Sequence, residues 1–73
     1  PATTLNYTIP TSEFVSVKIY DINGAELTTL VNAKLSSGKH SVEWDATDYP
    51  SSIYIACISS GNYFQARKML LVK

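Results

Sequence analysis

Seventy-three residues, 45% of them apolar, are enough for one small globular domain near the lower size limit of a self-sufficient core. Six Lys/Arg balance six Asp/Glu, so the basic stripe that a nucleic-acid binder uses to displace counterions from phosphate is missing. A single cysteine, Cys57, excludes an intrachain disulfide and a cysteine-based metal site, and no apolar stretch approaches the roughly 18 residues of a membrane span.

Period-two alternation dominates the chain and helical periodicity is nearly absent. The first segment, TTLNYTI, places Leu5, Tyr7 and Ile9 on one face, and Pro10 ends it because proline has no amide for a ladder. FVSVKIY repeats the pattern, with Val15, Val17 and Ile19 inward and Ser16 and Lys18 outward. In DINGAE, the pair Asn23-Gly24 is a strong hairpin signal, since both residues tolerate positive φ. ELTTLV returns from that turn. NAKLSSGK then reads as a loop with at most a short edge strand around Lys34–Leu35.

HSVEWD is a further strand, with Val42 and Trp44 inward and Glu43 outward, and ATDYPSS connects it to the next strand. IYIACIS is an almost continuous apolar run, the mark of a central strand. Ser60-Gly61-Asn62 signals a second tight hairpin into a last strand over Tyr63–Val72. Six to seven strands at this spacing predict an all-β fold, an antiparallel immunoglobulin-like β-sandwich occupying residues 1–73 as one domain. A core this small, with a stability on the order of 3–5 kcal/mol, leaves little room for an internal cavity. Function is therefore expected on the surface or at the ends.

The residues that bear chemistry do not assemble into a familiar catalytic pattern. His40 and Ser41 are neighbours in a strand and point to opposite faces, whereas a Ser-His-Asp relay needs them together. Asp45 and Asp48, with Glu43 upstream, match no calcium-loop spacing and are read as turn-shaping carboxylates. Cys57 lies among Ile55, Ala56 and Ile58 and is read as a packed strand thiol. Among the aromatics, Tyr49 and Tyr63 lie in connections, where they are the best candidates for stacking on a sugar; Trp44 and Tyr7 belong to the core. No catalytic, cofactor or metal site is expected, and no small-molecule substrate.

Four segments, taken in order, resemble the C-terminal sorting domains of the type IX (Por) secretion system. PATTLNYTIP is similar to that family's first strand, without the Asn-Pro-Phe leader that usually precedes it. VSVKIYDINGAELTTLV resembles its strand, Asp-x-x-Gly hairpin and returning strand, with Asp21 and Gly24 in the matching positions. GKHSVEWDATDYPSSIYIACISSG resembles the next block, in which Trp44, Asp45, Pro50, Ser51 and Tyr54 fit. Ser52 stands where the family has glycine, so strain is expected there if that position needs positive φ. YFQARKMLLVK resembles the terminal strand, with Lys68 and Lys73 matching its basic positions. The strand–hairpin block and the Trp-Asp strand are also similar to the immunoglobulin-like domain of flagellar hook-capping proteins.

The resemblance implies an address label rather than a catalyst. Such a domain rides behind a cargo protein, is recognised by the type IX translocon and its shuttle protein, and is commonly removed by a sortase-like protease at the cell surface. It passes through the periplasm and ends at the outer membrane or outside the cell. The resemblance makes Lys68 and Lys73 the expected recognition residues, and Asp21, Gly24, Trp44, Asp45, Tyr54 and Gly61 the structural motif. The abrupt opening at PATTLNY and the absence of a signal peptide lead us to expect a segment of a longer protein. Two other readings compete: a structural or adhesive immunoglobulin-like module, and a small carbohydrate-binding module that would display coplanar aromatics.

Overall fold

The computed structural model describes residues 2–73. Among them, six strands form and no helix: β1 (Ala2–Ile9), β2 (Glu13–Tyr20), β3 (Glu26–Leu35), β4 (Gly38–Asp45), β5 (Ser52–Ser60) and β6 (Tyr63–Leu71). All pair antiparallel, in a two-stranded sheet β1-β4 and a four-stranded sheet ordered β3-β2-β5-β6. The expected antiparallel sandwich is what the chain forms.

The core sits where the inner faces of the two sheets meet. Leu5, Tyr7, Ile9 and Trp44 come from the small sheet; Val15, Val17, Ile19, Tyr54, Ala56, Ile58 and Leu71 come from the large one. The alternation read in the first two strands holds residue by residue, because each strand buries one face and wets the other. Fully burying aliphatic side chains of this size contributes about 1.5–3 kcal/mol each before conformational entropy is charged against it.

Two turns set the register. The Asp21 carboxylate accepts hydrogen bonds from the Asn23 amide at 2.9 Å and the Ala25 amide at 3.0 Å, while the Gly24 amide donates to the Asp21 carbonyl. Within this turn only Gly24 has positive φ, at 84°. The β2–β3 reversal is thus a five-residue loop built on Asp21, not a two-residue Asn-Gly turn with both residues left-handed. Between β5 and β6 the reversal is tight: Ser60 pairs with Tyr63, and Gly61 has φ of 57°. A Cβ at Gly61 would stand 2.7 Å from the Glu13 carboxylate, the movable end of an exposed side chain, so it is the backbone conformation that favours glycine there.

β3 differs most from expectation. It continues through Asn32, Ala33, Lys34 and Leu35, which pair with Ser16, Val15, Phe14 and Glu13. The loop expected over Asn32–Lys39 is therefore only Ser36 and Ser37, and β4 begins at Gly38. Register shifts at Val17/Lys18 and Ile19/Tyr20 let ten residues of β3 follow eight of β2. The polar and small residues that suggested a loop belong instead to a solvent-facing edge strand.

Ser52 is the first residue of β5, and no non-glycine residue among those described has positive φ. The strain expected from serine in place of glycine is absent.

Candidate interaction surface and terminal strand

The connection from β4 to β5 is the most highly wired part of the molecule. Trp44, Tyr49 and Tyr54 form a tilted aromatic cluster with ring centroids 5.1–6.1 Å apart. The Tyr54 hydroxyl donates to the Pro50 carbonyl at 2.6 Å, the kind of corner tyrosines make in immunoglobulin-like sandwiches. The Asp45 carboxylate accepts from both the hydroxyl and the amide of Thr47, the amide at 3.0 Å. Those hydrogen bonds, the hydroxyl's first, hold its carboxyl below the usual aspartate range. Asp45 therefore shapes the turn as expected, whereas among the described residues no such bond ties Asp48.

Lys73 is tied into the same connection. Its amide donates to the Ser51 hydroxyl at 3.0 Å, and its ammonium donates to the Thr47 carbonyl. The carboxylate of Asp45 fixes Thr47, and Thr47 in turn holds Lys73. Sequence reasoning missed Thr47 and Ser51 as anchors, because they stand 26 and 22 residues away and carry no local signal.

Lys68 is placed quite differently. It lies on the outer face of the four-stranded sheet, beside Ile55 across the ladder and between Ala66 and Leu70 along β6. Among the described residues the one ion pair is Lys18 to Glu26, at 3.5 Å. The two lysines singled out in the sequence do not form one cluster. One is bound to a loop; the other stands open.

Asp21 and Gly24 build the first hairpin and Gly61 the second; Trp44 and Tyr54 are 2% exposed and help close the core. Cys57 corrects its sequence reading. It is half-buried on the outer face, paired with Lys18 on β2 and Ala66 on β6, and not in the core. Its neighbours Ala56 and Ile58 point inward, so of the apolar residues around it in sequence only Ile55 shares its face.

His40 stacks on Tyr7 with centroids 5.8 Å apart, and its Nε2 lies 2.7 Å from the Ser36 carbonyl, while Ser41 is exposed. Tyr49 packs on Trp44 and Tyr54 and, with Asp21, Ile22 and Pro50, lines an open groove of about 300 Å³. Tyr63 starts β6 at the opposite end of the sheet, its hydroxyl 2.9 Å from Gln65 Oε1. The two tyrosines thus share no platform. Among the described residues no three His, Cys, Asp or Glu side chains gather as a metal site would require.

Compared with known proteins, residues 1–73 match a family model described as the secretion system C-terminal sorting domain. Neither the curated proteins nor the solved structures yield a match.

Proposed function

The chain belongs to the secretion system C-terminal sorting domain family, and from that premise we propose that it acts as the address of an upstream cargo rather than as a catalyst. It is a C-terminal sorting signal for type IX secretion, and a protein bearing it is exported to the cell surface or beyond. In the finer reading, the outer-membrane translocon and its shuttle protein recognise the folded sandwich, and a sortase-like protease acts on it after passage. Lys68 supplies an open positive charge for that recognition, and Lys73 keeps the terminal strand in place to present it.

The observation that carries this reading is the family match along the whole chain. The divided roles of the lysines rest on their surroundings: an ammonium already bonded to a loop carbonyl has less to offer a partner than one without an internal acceptor. The test is to fuse the chain to the C-terminus of an exported reporter in a bacterium with a type IX system. Lys68→Ala should strongly reduce surface delivery while leaving the melting midpoint unchanged; Lys73→Ala should lower both. Undiminished delivery in both variants refutes the roles given to the lysines. An unaltered chain that delivers nothing refutes the sorting assignment.

A further inference from the structure

The inner face of the four-stranded sheet is covered by β1 and β4; its outer face is covered by none of the described residues, yet its β5–β6 half is largely apolar. Ile53 faces Leu70 across the β5–β6 ladder, Ile55 faces Lys68, Cys57 faces Ala66, and Ser59 faces Phe64. On the other side of β5, Tyr20 pairs with Ile55 and Lys18 with Cys57. Leu70 is 73% exposed, Phe64 65% and Ile53 37%. An antiparallel sheet with one face in water normally carries polar side chains there. Here β5 is apolar on both faces, the pattern of a strand covered on both sides.

We propose that this outer face is a docking surface for a protein of the export machinery that presents an apolar patch with a carboxylate positioned over Lys68. The inference rests on the sorting-domain reading and deepens it by naming the surface and the chemistry of its partner. Charge selects the occupant. The outer face carries Lys18, Lys34 and Lys68 but only one acid, Glu26, which is spent on Lys18. Lys68 is bordered by Ile55, Ala66 and Leu70, so covering those residues strips water from its ammonium. A buried ammonium without a counter-charge is costly, and an opposing carboxylate removes that cost.

The same face of a second copy would bring the same lysines and no free carboxylate. An anionic membrane is attracted by several basic groups acting together, each worth about 1 kcal/mol. Here Lys34 stands beside Phe14 on β3, the opposite edge strand of the sheet from β6, where Lys68 lies. One hemmed ammonium on a flat ladder suits one carboxylate on a protein.

The test uses the same reporter fusion. Lys68→Glu and the double variant Ile53→Ser/Leu70→Ser should each cut surface delivery by about tenfold or more, as loss of a central interfacial anchor does. Lys68→Arg, and Asn6→Asp on the exposed side of the other sheet, should stay within about twofold of the unaltered chain. A photoreactive residue at Leu70 should crosslink to an outer-membrane component of the type IX machinery. Lys68→Glu should abolish that crosslink, and reversing a carboxylate of the crosslinked protein to lysine should restore it.

Outer-face variants that melt and deliver like the unaltered chain overturn the proposal while leaving the sorting reading intact. Failure of the unaltered chain to deliver removes the reading beneath it. Binding of the purified chain to phosphatidylglycerol vesicles that is lost in Lys68→Glu assigns the face to lipid and overturns the proposal. A sedimentation-equilibrium dimer that Ile53→Ser/Leu70→Ser dissolves assigns it to a second copy and does the same.

Discussion

The two faces of β5 carry similar side chains in opposite circumstances. Tyr54, Ala56 and Ile58 point inward and are at most 2% exposed, beneath β1 and β4. Ile53, Ile55 and Cys57 point outward, with no layer of the described residues above them. The difference shows that apolar character makes a side chain eligible for burial, while the topology decides which face is buried. One face uses its apolar surface to hold the fold; the other keeps it available.

The sharpest way to break that contrast is to truncate one isoleucine from each face. Ile58→Ala should cost about 2–5 kcal/mol, comparable to the whole stability of a domain this small, and urea unfolding should find much of the variant unfolded before denaturant is added. Ile55→Ala, on the half-buried outer side, should cost less than about 1.5 kcal/mol. Equal losses would mean that both faces serve the core.

Tyr54→Phe tests the corner that holds the β4–β5 connection against the inner face. It leaves the Pro50 carbonyl without its donor, for an expected loss of about 1–2 kcal/mol in the same measurement. Ser60→Ala probes the polar residue on the buried side. Ser60 is 4% exposed, and its buried hydroxyl finds no partner among the described residues. Stability should therefore hold or rise, by no more than about 1 kcal/mol; a clear loss would reveal a bond that serine makes.

Asp45→Asn should have the smallest effect, readable in its pH dependence. Because its folded pKa is depressed, Asp45 contributes stability that is fully present above its unfolded value of about 3.9. That contribution is lost as pH falls through the lower folded value. The melting midpoints of the unaltered chain and the variant should differ at neutral pH and converge in acid below about pH 4. A gap that stays constant down to pH 2 would rule out the carboxylate as the source of the difference.

These contrasts also show which parts of the molecule were legible in the sequence. β1 and β2 were, because alternation survives wherever one face is wet. The inward set of β5 was not, since an uninterrupted apolar run carries no phase, and for that reason Cys57 reads as a packed thiol when it faces outward. The far half of β3 was hidden because an edge strand has the composition of a loop. Gly24 was recognisable from the local chemistry of a turn, whereas Asp21 was singled out only by the family resemblance. The hold of Thr47 and Ser51 on Lys73 joins residues far apart in sequence and became visible only once the fold had brought them together.

The strand pairing also governs when the fold can form. Ala2 waits for Asp45, and Val15 waits for Ser60, so neither sheet can assemble from the early part of the chain. Non-local pairing of this kind slows folding to roughly milliseconds to seconds, measurable by stopped-flow refolding. A chain emerging from the ribosome must therefore reach the end of β5 before its central ladder can close. Until then only the β1–β4 and β2–β3 pairs have both of their strands, so the sandwich is completed only after most of the chain has been made.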